Sequence, residues 1–371
     1  MAFLKSLFHS SLNAAPSSLL MKELKLAYKQ PIPSSFTPNE LKLIETIHQE
    51  TATYNRNNVT RTKAYLDFFH HHPEIHWAML AHLVSRNAGW TMTDLKGEYL
   101  PRILSPKQQE AFFSFLERGN WLIFQDAYPQ LLLYRESKKK ATSLFHLLPA
   151  FHVSSFMNVC WENYLRKGKA DLLTIALIIN EQHYIESRLI QMKDYQQTVF
   201  HTLAFQLQNL LNTNTLLFPF PKQDGKAVHL IGETAQHFLY VKERINLGKR
   251  LYAQLFSSEN IVISVLKWAQ LHPHTGSRKD YWPHLFHTVK EGEPNARREL
   301  KNCTIMKGPR IYSPPLTVWK DVTHPAPHRG DWFTTLKPLN LFKLPAADLS
   351  GDVKKIHCST LSLLEKLPTL K

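Results

Sequence analysis

Glycine and long apolar runs are both scarce in this chain of 371 residues. Only 12 residues are glycine, whereas an all-β protein of this length would need many more of them in tight turns. The longest apolar stretch, at 172–179, is interrupted by Thr174 and is far shorter than the roughly 20 residues that cross a bilayer. The N-terminal segment contains no apolar run of the length that a signal peptide needs. These absences predict a soluble, cytoplasmic protein without a transmembrane segment.

Cysteine is also rare, and the three cysteines, Cys160, Cys303 and Cys358, are far apart in the sequence. They form no C-x-x-C motif, and an odd, sparse set of cysteines is typical neither of a disulfide framework nor of a structural zinc site. We therefore expect buried or incidental free thiols in a reducing cytosol.

Basic residues outnumber acidic ones by 45 to 30, which gives a formal net charge of +15. The excess is spread along the chain, with a modest concentration at 230–311, and is not gathered in a tail. A positive field favours anionic partners such as nucleic acid, phosphate-bearing ligands or phospholipid head groups. Electrostatics alone gives no specificity, so the net charge of the protein predicts the sign of the charge on a partner and not the identity of that partner.

Signals for helix starts recur as far as residue 271. Thr37 precedes Pro38, and Glu40 completes the pattern of a capping box at the start of a helix. Ser105 before Pro106 opens another helix, and a separate one is expected at 121–137. These signals, together with the low glycine content, predict an all-α fold: a single large domain of about ten helices.

The helix that carries most of the candidate site residues is expected to begin beside Pro73. Its predicted end is Gly89, because glycine is a common C-terminal capping residue. Apolar residues point in nearly every direction around this helix, which indicates that protein surrounds it.

Two segments break the helical pattern. The first, at 213–233, contains Pro219, Pro221 and Gly225 and is predicted to be a loop or a short hairpin. The second, at 272–347, has ten prolines interleaved with aromatic residues, and we expect a partly extended arm packed on the helical body. The predicted organisation is an N-terminal extension (1–36), a helical body (37–271), the proline-rich arm (272–347) and a C-terminal tail (348–371).

The segment 57–98 holds the densest set of polar residues that could carry chemistry. The catalytic candidates are His76, His82, Glu74 and Asp94. The anion-binding candidates in the same segment are Asn57, Arg61, Arg86 and Asn87. One alternative is a polar network that joins helices, because buried charges need partners. The other is a cleft in which a histidine acts as a base or ligand and an arginine holds an anion.

Two further segments are candidates for a site. Glu181, His183 and Glu186 end an apolar helix, and a Glu/His pair at this spacing occurs in carboxylate di-metal bundles. Such a centre needs matching elements on other helices, and the sequence has no second copy, so we predict no metal. Ser277, Arg278 and Lys279 could contact phosphate or nucleic acid, although the spacing of a P-loop is absent and a surface turn is the alternative.

Several of these segments together resemble a known family. They are 58–65 (NVTRTKAY), 72–77 (HPEIHW), 85–87 (SRN), 92–98 (MTDLKGE), 180–186 (NEQHYIE) and 272–282 (HPHTGSRKDYW). The chain resembles the YppC-like family of Bacillus-type bacteria, a domain of unknown function, over about residues 50–320. The resemblance implies a bacterial, cytoplasmic protein. It carries over no activity, cofactor or site residue.

The sequence therefore predicts a binding or interaction protein for an anionic partner, either nucleic acid or a phosphate-bearing ligand, without a cofactor. The alternative is a hydrolytic enzyme that acts on an anionic substrate through a His/Arg/acid cleft at 57–98. Geometry discriminates between them, because the enzyme requires His76, His82, Arg61, Arg86 and Glu181 to meet in one solvent-reachable pocket.

Overall fold

The fold is taken from a computed structural model of the full chain. The structure describes residues 16–28, 35–203, 205–206, 214–221, 228–292, 298–345 and 353–366. Most of the described residues are helical. None of the helices among them is long and apolar enough to cross a membrane.

Ten α-helices of ten or more residues lie in these ranges. They are α1 (Ser18–Ala27), α2 (Pro38–Tyr54), α3 (Asn58–His71), α4 (His76–Asp94), α5 (Pro106–Lys140), α6 (Ser155–Lys167), α7 (Ala170–Ile185), α8 (Val241–Leu255), α9 (Glu259–Leu271) and α10 (Val353–Glu365). Shorter helical segments occur at Leu100–Arg102, Phe145–Phe151, Glu186–Ile190, Lys193–Tyr195, Gln196–Phe200, Arg278–Asp280, Leu316–Val318 and Lys337–Leu341.

Two predicted helix starts, at Thr37 and Ser105, are confirmed by their capping contacts. The backbone N–H of Thr37 donates to Glu40 Oε2 at 2.8 Å, and the Thr37 side chain accepts from the Glu40 backbone in return. Ser105 and Gln108 form the same reciprocal pair at the start of α5. Each capping box satisfies backbone donors that the first turn of a helix leaves without intrahelical acceptors.

Three of the predicted helix boundaries are wrong. The helix expected to begin beside Pro73 begins at His76, without a side-chain cap. The helix expected at 121–137 is the second half of α5, which runs without interruption for 35 residues. The helix expected to end at Gly89 continues to Asp94. At Gly89 a Cβ atom would lie 2.4 Å from His274 Nε2. The glycine therefore allows close approach of the chain after α9, and it does not cap a helix.

Three two-stranded sheets correct the all-α expectation. Strands β1 (Thr215–Pro221) and β2 (Val228–Thr234) pair antiparallel, so the hairpin is the alternative observed for the described residues of this segment, 214–221 and 228–233. Strands β3 (Phe286–His287) and β6 (Ile311–Tyr312) pair in parallel, and β4 (Glu299–Lys301) pairs antiparallel with β5 (Thr304–Lys307). The two smaller sheets, β3–β6 and β4–β5, lie in the proline-rich arm, where long helices cannot be sustained.

Helix α7 is the centre of the hydrophobic core. Its residues from Ala170 to Asn180 are all buried, and it contacts α4, α5, α6 and α8. A helix that is apolar on every side needs neighbours on every side, which explains this central position. The arm packs on the outside of this assembly. Trp319 stacks on Phe113 with ring centroids 3.9 Å apart, and its indole N–H donates to the carbonyl oxygen of Met92.

The expectation of three free thiols is wrong for two of the cysteines. Cys303, in the turn between β4 and β5, forms a disulfide with Cys358 on α10, and their Cα atoms are 5.2 Å apart. Cys160 is free and buried. The two bonded cysteines are separated by 55 residues, so their proximity depends on how α10 packs against the β4–β5 hairpin.

Candidate ligand-binding site

Arg61 forms a buried ion pair with an acidic residue outside the predicted segment. Its Nη2 atom lies 2.5 Å from Glu117 Oε2 on α5, and both side chains are almost completely buried. Its Nη1 atom donates to Asn55 Oδ1 at 3.2 Å. A charge pair removed from water in this way joins α3 to α5 and is costly to break on one side only.

The two candidate histidines of α4 lie apart from each other. His76 Nδ1 is 2.9 Å from the Tyr252 hydroxyl, and its ring stacks on Phe256. His82 Nδ1 is 2.8 Å from the carbonyl oxygen of Thr62. Burial lowers the pKa of His76 to about 3 and the pKa of His82 well below its usual value. Both rings are therefore neutral at pH 7 and packed against protein.

Arg86 is wholly buried and has a different set of partners. Its Nη1 atom donates to the carbonyl oxygen of His272 at 2.7 Å. The guanidinium lies over the rings of Trp268 and Tyr281, at 4.6 and 5.2 Å from their centroids. Cation–π contacts of this kind are strongest where water is excluded. Arg86 thus connects α4 to the start of the arm.

Asp94 and the 277–279 segment form another connection between α4 and the arm. The Nε and Nη2 atoms of Arg278 both lie 2.7 Å from Asp94 Oδ2. Burial raises the pKa of Asp94, and the positive charge of Arg278 offsets part of that rise. Ser277 Oγ donates to the carbonyl oxygen of Ser313 and accepts from the backbone N–H of Lys279. Two groups predicted to contact phosphate, the Ser277 hydroxyl and the Arg278 guanidinium, are thus engaged within the protein.

Asn57 and Glu74 lie at two further places in the fold. Asn57 caps α3 and donates to Asp321 Oδ1 at 2.8 Å. Glu74 accepts hydrogen bonds from the Tyr134 hydroxyl and from Lys138 Nζ near the end of α5. Neither residue contacts the histidines of α4 through these bonds.

Asn87 fixes the β1–β2 hairpin to α4. Its side-chain amide donates to the carbonyl oxygen of Leu217 at 3.0 Å and accepts from the Leu217 backbone N–H at 2.8 Å. An asparagine side chain can satisfy both backbone groups of one strand residue in this way. The hairpin therefore lies across one face of α4.

The second predicted cluster also divides among separate partners. The His183 ring stacks on Trp332 with centroids 4.6 Å apart, and burial lowers its pKa to about 4. Glu186 pairs with Arg244 on α8. Glu181 faces an internal cavity. No group of three or more His, Cys, Asp or Glu side chains among the described residues is arranged to hold a metal ion.

A larger cavity, of about 270 Å³, lies against α4. Val84, Ala88, Thr91 and Leu95 form its helical wall. These residues are spaced by three or four positions, so they share one face of the helix. The small side chain of Ala88 leaves space that a larger residue would fill.

The other walls of the larger cavity come from distant parts of the chain. Phe112 and Phe115 project from α5, Leu217 from β1, and Leu361 and Leu364 from α10. Aliphatic and aromatic side chains thus dominate the lining, and the charged groups at its edge are Asp94, Glu98 and Arg278.

A smaller cavity, of about 160 Å³, lies one to two turns nearer the start of α4. Ala81 and Leu251 are among its apolar walls, and Arg61, Glu181 and Arg244 are its charged ones. Four residues border both cavities: Val84, Leu216, Ala235 and Phe238. Of the five groups that a hydrolytic site would require, Arg61 and Glu181 border this cavity, and His76, His82 and Arg86 do not.

Comparison with known sequences identifies the family. A sequence model described as "Protein of unknown function (DUF2515)" matches residues 53–348, which is more than half of the chain. The chain belongs to this family. It is 44% identical over 239 residues to "Uncharacterized protein YppC" of Bacillus subtilis (strain 168), and this match covers 64% of the chain and 73% of YppC. The predicted resemblance is confirmed. No solved structure gives a significant match.

The residues that line the two cavities can be compared with the range matched by the DUF2515 model. Every residue that borders the smaller cavity lies within 53–348. The larger cavity also lies within the match except for its α10 wall, which contains His357, Thr360, Leu361 and Leu364. Both cavities are therefore built mainly from the DUF2515 region of the chain.

Neither cavity was predicted from the sequence. The candidate residues were polar, whereas the larger cavity is lined mainly by apolar residues from eight separate elements. A local signal was the pair Ala81 and Ala88, which place small side chains two turns apart on one face of α4. Small side chains on this face indicate a cavity only when it is known that the hairpin and α5 lie opposite the face.

Proposed function

We propose that the protein binds a small, largely apolar molecule in the larger cavity. The supporting observation is the combination of size and lining: a cavity of about 270 Å³ lined mainly by aliphatic and aromatic side chains. Ligand sites in proteins are typically concave, apolar and provided with a few polar groups at the edge. The polar residues Asn87 and Thr91 on α4 could orient such a ligand.

The volume limits the size of the ligand. An apolar cavity of about 150 Å³ is enough to bind benzene. By proportion, about 270 Å³ accommodates a ligand of roughly ten to twelve non-hydrogen atoms. A bicyclic aromatic hydrocarbon or a medium-length alkyl chain is of this size.

The charges at the edge of the cavity favour a neutral ligand. Arg278 is paired with Asp94, and Glu98 accepts from both terminal nitrogens of Arg298. An anionic head group would have to compete with these carboxylates for the arginines. A neutral ligand leaves both ion pairs intact and gains from the burial of apolar surface.

Naphthalene binding to the full-length protein tests the proposal. We expect saturable binding of one naphthalene per chain by isothermal titration calorimetry, together with a rise in melting temperature. Ala88→Leu fills the larger cavity and should weaken binding at least tenfold. Ala81→Leu is the matched control, because it lies on the same face of α4 but borders only the smaller cavity. Absence of saturable binding, or equal binding by the Ala88→Leu variant, would contradict the proposal.

The functions predicted from the sequence stay predictions. An anionic partner stays a prediction that rests on the net charge of +15, and affinity for nucleic acid that falls as salt rises would support it. The hydrolytic alternative also stays a prediction, with three of its five residues away from the cavities. A cytoplasmic location is likewise a prediction from the sequence.

A further inference from the structure

Glu181 is an acidic side chain that faces the smaller cavity from the end of α7. Trp77 Nε1 donates to its Oε2 atom at 3.2 Å, and Gln182 Nε2 donates to its Oε1 atom at 3.0 Å. Both donors are uncharged. A carboxylate oxygen can accept more than one hydrogen bond, so each oxygen keeps acceptor capacity.

No cation among the described residues forms an ion pair with Glu181. The two arginines that border the same cavity are already paired, Arg61 with Glu117 and Arg244 with Glu186. Glu181 is partly buried, and withdrawal of a carboxylate from water without a counter-ion is costly. Within the part of the chain that the structure describes, its negative charge therefore has no ion-pair partner.

The cavity beside this acid is large enough for a compact ligand. Its volume is about 160 Å³, close to the volume that binds a single benzene ring. Tyr65, Leu80 and Leu247 contribute to its mainly apolar walls. A ligand there would have an apolar body in contact with these walls and one polar group at Glu181.

We propose that the smaller cavity is a second binding site, for a compact molecule that carries a basic nitrogen on an apolar body, with Glu181 as the counter-ion. A protonated amine supplies the positive charge that the protein does not, and its N–H groups use the remaining acceptor capacity of the carboxylate. This inference concerns a different cavity and does not depend on the proposed function of the larger one.

The ionisable groups around Glu181 are consistent with this assignment. Burial raises the pKa of Glu181 to about 7, although the hydrogen bonds from Gln182 and Trp77 lower it in part. Asp126 on α5 raises it further through its negative charge. Tyr65 on α3 is also close, and its own pKa lies well above the usual value because it is buried. A bound cation should therefore be favoured most at a pH where Glu181 is ionised.

Three probes of matched size test the site in the full-length protein at pH 8. They are benzylamine, benzyl alcohol and benzoate, measured by isothermal titration calorimetry. We expect benzylamine to bind at least tenfold more tightly than benzyl alcohol, and benzoate not to bind. Glu181→Gln should remove the preference for benzylamine and leave the affinity for benzyl alcohol within about threefold, because it removes the charge and keeps the shape.

Filling variants show where the probes bind. Ala81→Leu should abolish binding of both benzylamine and benzyl alcohol, whereas Ala88→Leu should leave both unchanged. The melting temperature and circular dichroism spectrum of the Glu181→Gln variant report whether the variant is folded. The inference is overturned if benzylamine does not bind, if it binds no more tightly than benzyl alcohol, or if Glu181→Gln keeps the preference. Naphthalene binding to the wild type tests only the larger cavity, and binding of the benzyl probes tests only the smaller one. Failure of one proposal is therefore distinguishable from failure of the other.

Discussion

Arg86 Nη1 donates a 2.7 Å hydrogen bond to the carbonyl oxygen of His272, the residue that follows α9. The guanidinium is completely buried, and its Nε and Nη2 atoms have no hydrogen-bond partner among the described residues. Its charge is stabilised by the faces of Trp268 and Tyr281. One buried side chain thus holds the start of the proline-rich arm against the helix that lines both cavities.

We expect Arg86→Ala to lower the free energy of unfolding by about 3 kcal/mol. The estimate combines a buried hydrogen bond from a charged donor with desolvated cation–π contacts. Urea denaturation followed by circular dichroism measures it. Arg56→Ala is the control: Arg56 is exposed and pairs with Asp321 at the surface, so its loss should cost less than about 0.5 kcal/mol. Equal effects of the two substitutions would contradict a special role for Arg86.

Gly89→Ala should destabilise the protein although alanine is the better helix former. A Cβ atom at this position would lie 2.3 Å from Asn58 Oδ1 and 2.4 Å from His274 Nε2, two atoms that are joined by a 2.7 Å hydrogen bond. Overpacking of this kind typically costs about 2 kcal/mol, more than the roughly 1 kcal/mol that alanine gains in helix propensity.

Gly119→Ala is the matched control for this prediction. Gly119 is also inside a helix, and a Cβ atom there would meet only the flexible end of Leu189, at 3.1 Å. We expect its melting temperature to equal or exceed that of the wild type, while the melting temperature of Gly89→Ala falls. A stabilising Gly89→Ala substitution would show that His274 can move away from α4.

Complete capping boxes in the sequence predicted helix starts correctly, whereas the single residues Pro73 and Gly89 did not mark the ends of α4. A capping box is complete within four residues, so Thr37 and Ser105 could be recognised without knowledge of the fold. Gly89 could not be interpreted in this way, because its role depends on His274, which lies far along the chain. The strands of the arm were missed for the same reason, since two-residue pairs such as β3 and β6 have no sequence pattern of their own.

Thiol titration tests the disulfide. Protein purified without reductant and then denatured should expose one thiol per chain, Cys160, and three after reduction. The double variant Cys303→Ser/Cys358→Ser should lose about 4 kcal/mol of stability, as expected for a bond that closes a loop of 55 residues. Cys160→Ala is the control and should expose no thiol before reduction and two after it. Three thiols in unreduced wild-type protein would contradict the bond.

The candidate site was predictable only in part. Polar residues on α3 and α4 could be identified from the sequence, and Arg61 on α3 does border the smaller cavity. Their partners could not be identified, because Glu117, Tyr252 and His272 reach them only through tertiary packing. The volume of a cavity is a property of all its walls together, so no local pattern encodes it. Glu181 was predicted as a member of a Glu/His pair, whereas its distinguishing feature is that it has no ion-pair partner in the described ranges of the chain.

The pH dependence of stability should differ between the wild type and Glu181→Gln. The pKa of Glu181 is about 7 in the folded protein and close to 4.5 when unfolded, so the folded state binds more protons between these values. This group therefore destabilises the wild type progressively as pH rises from 4.5 to 7, and the full effect is present above pH 7. Glutamine does not ionise and avoids this cost.

Between pH 5 and pH 8 we expect the free energy of unfolding of Glu181→Gln, relative to the wild type, to rise by about 2 kcal/mol. Urea denaturation of both proteins at each pH measures this difference. Contributions from His76, His82 and other shared groups largely cancel, because they are present in both proteins. Glu186→Gln is the control: Glu186 is paired with Arg244, so its loss should not produce a gain in stability at high pH. A pH-independent difference for Glu181→Gln would show that the carboxyl group ionises in the fold as readily as in water, and that water or a cation reaches it.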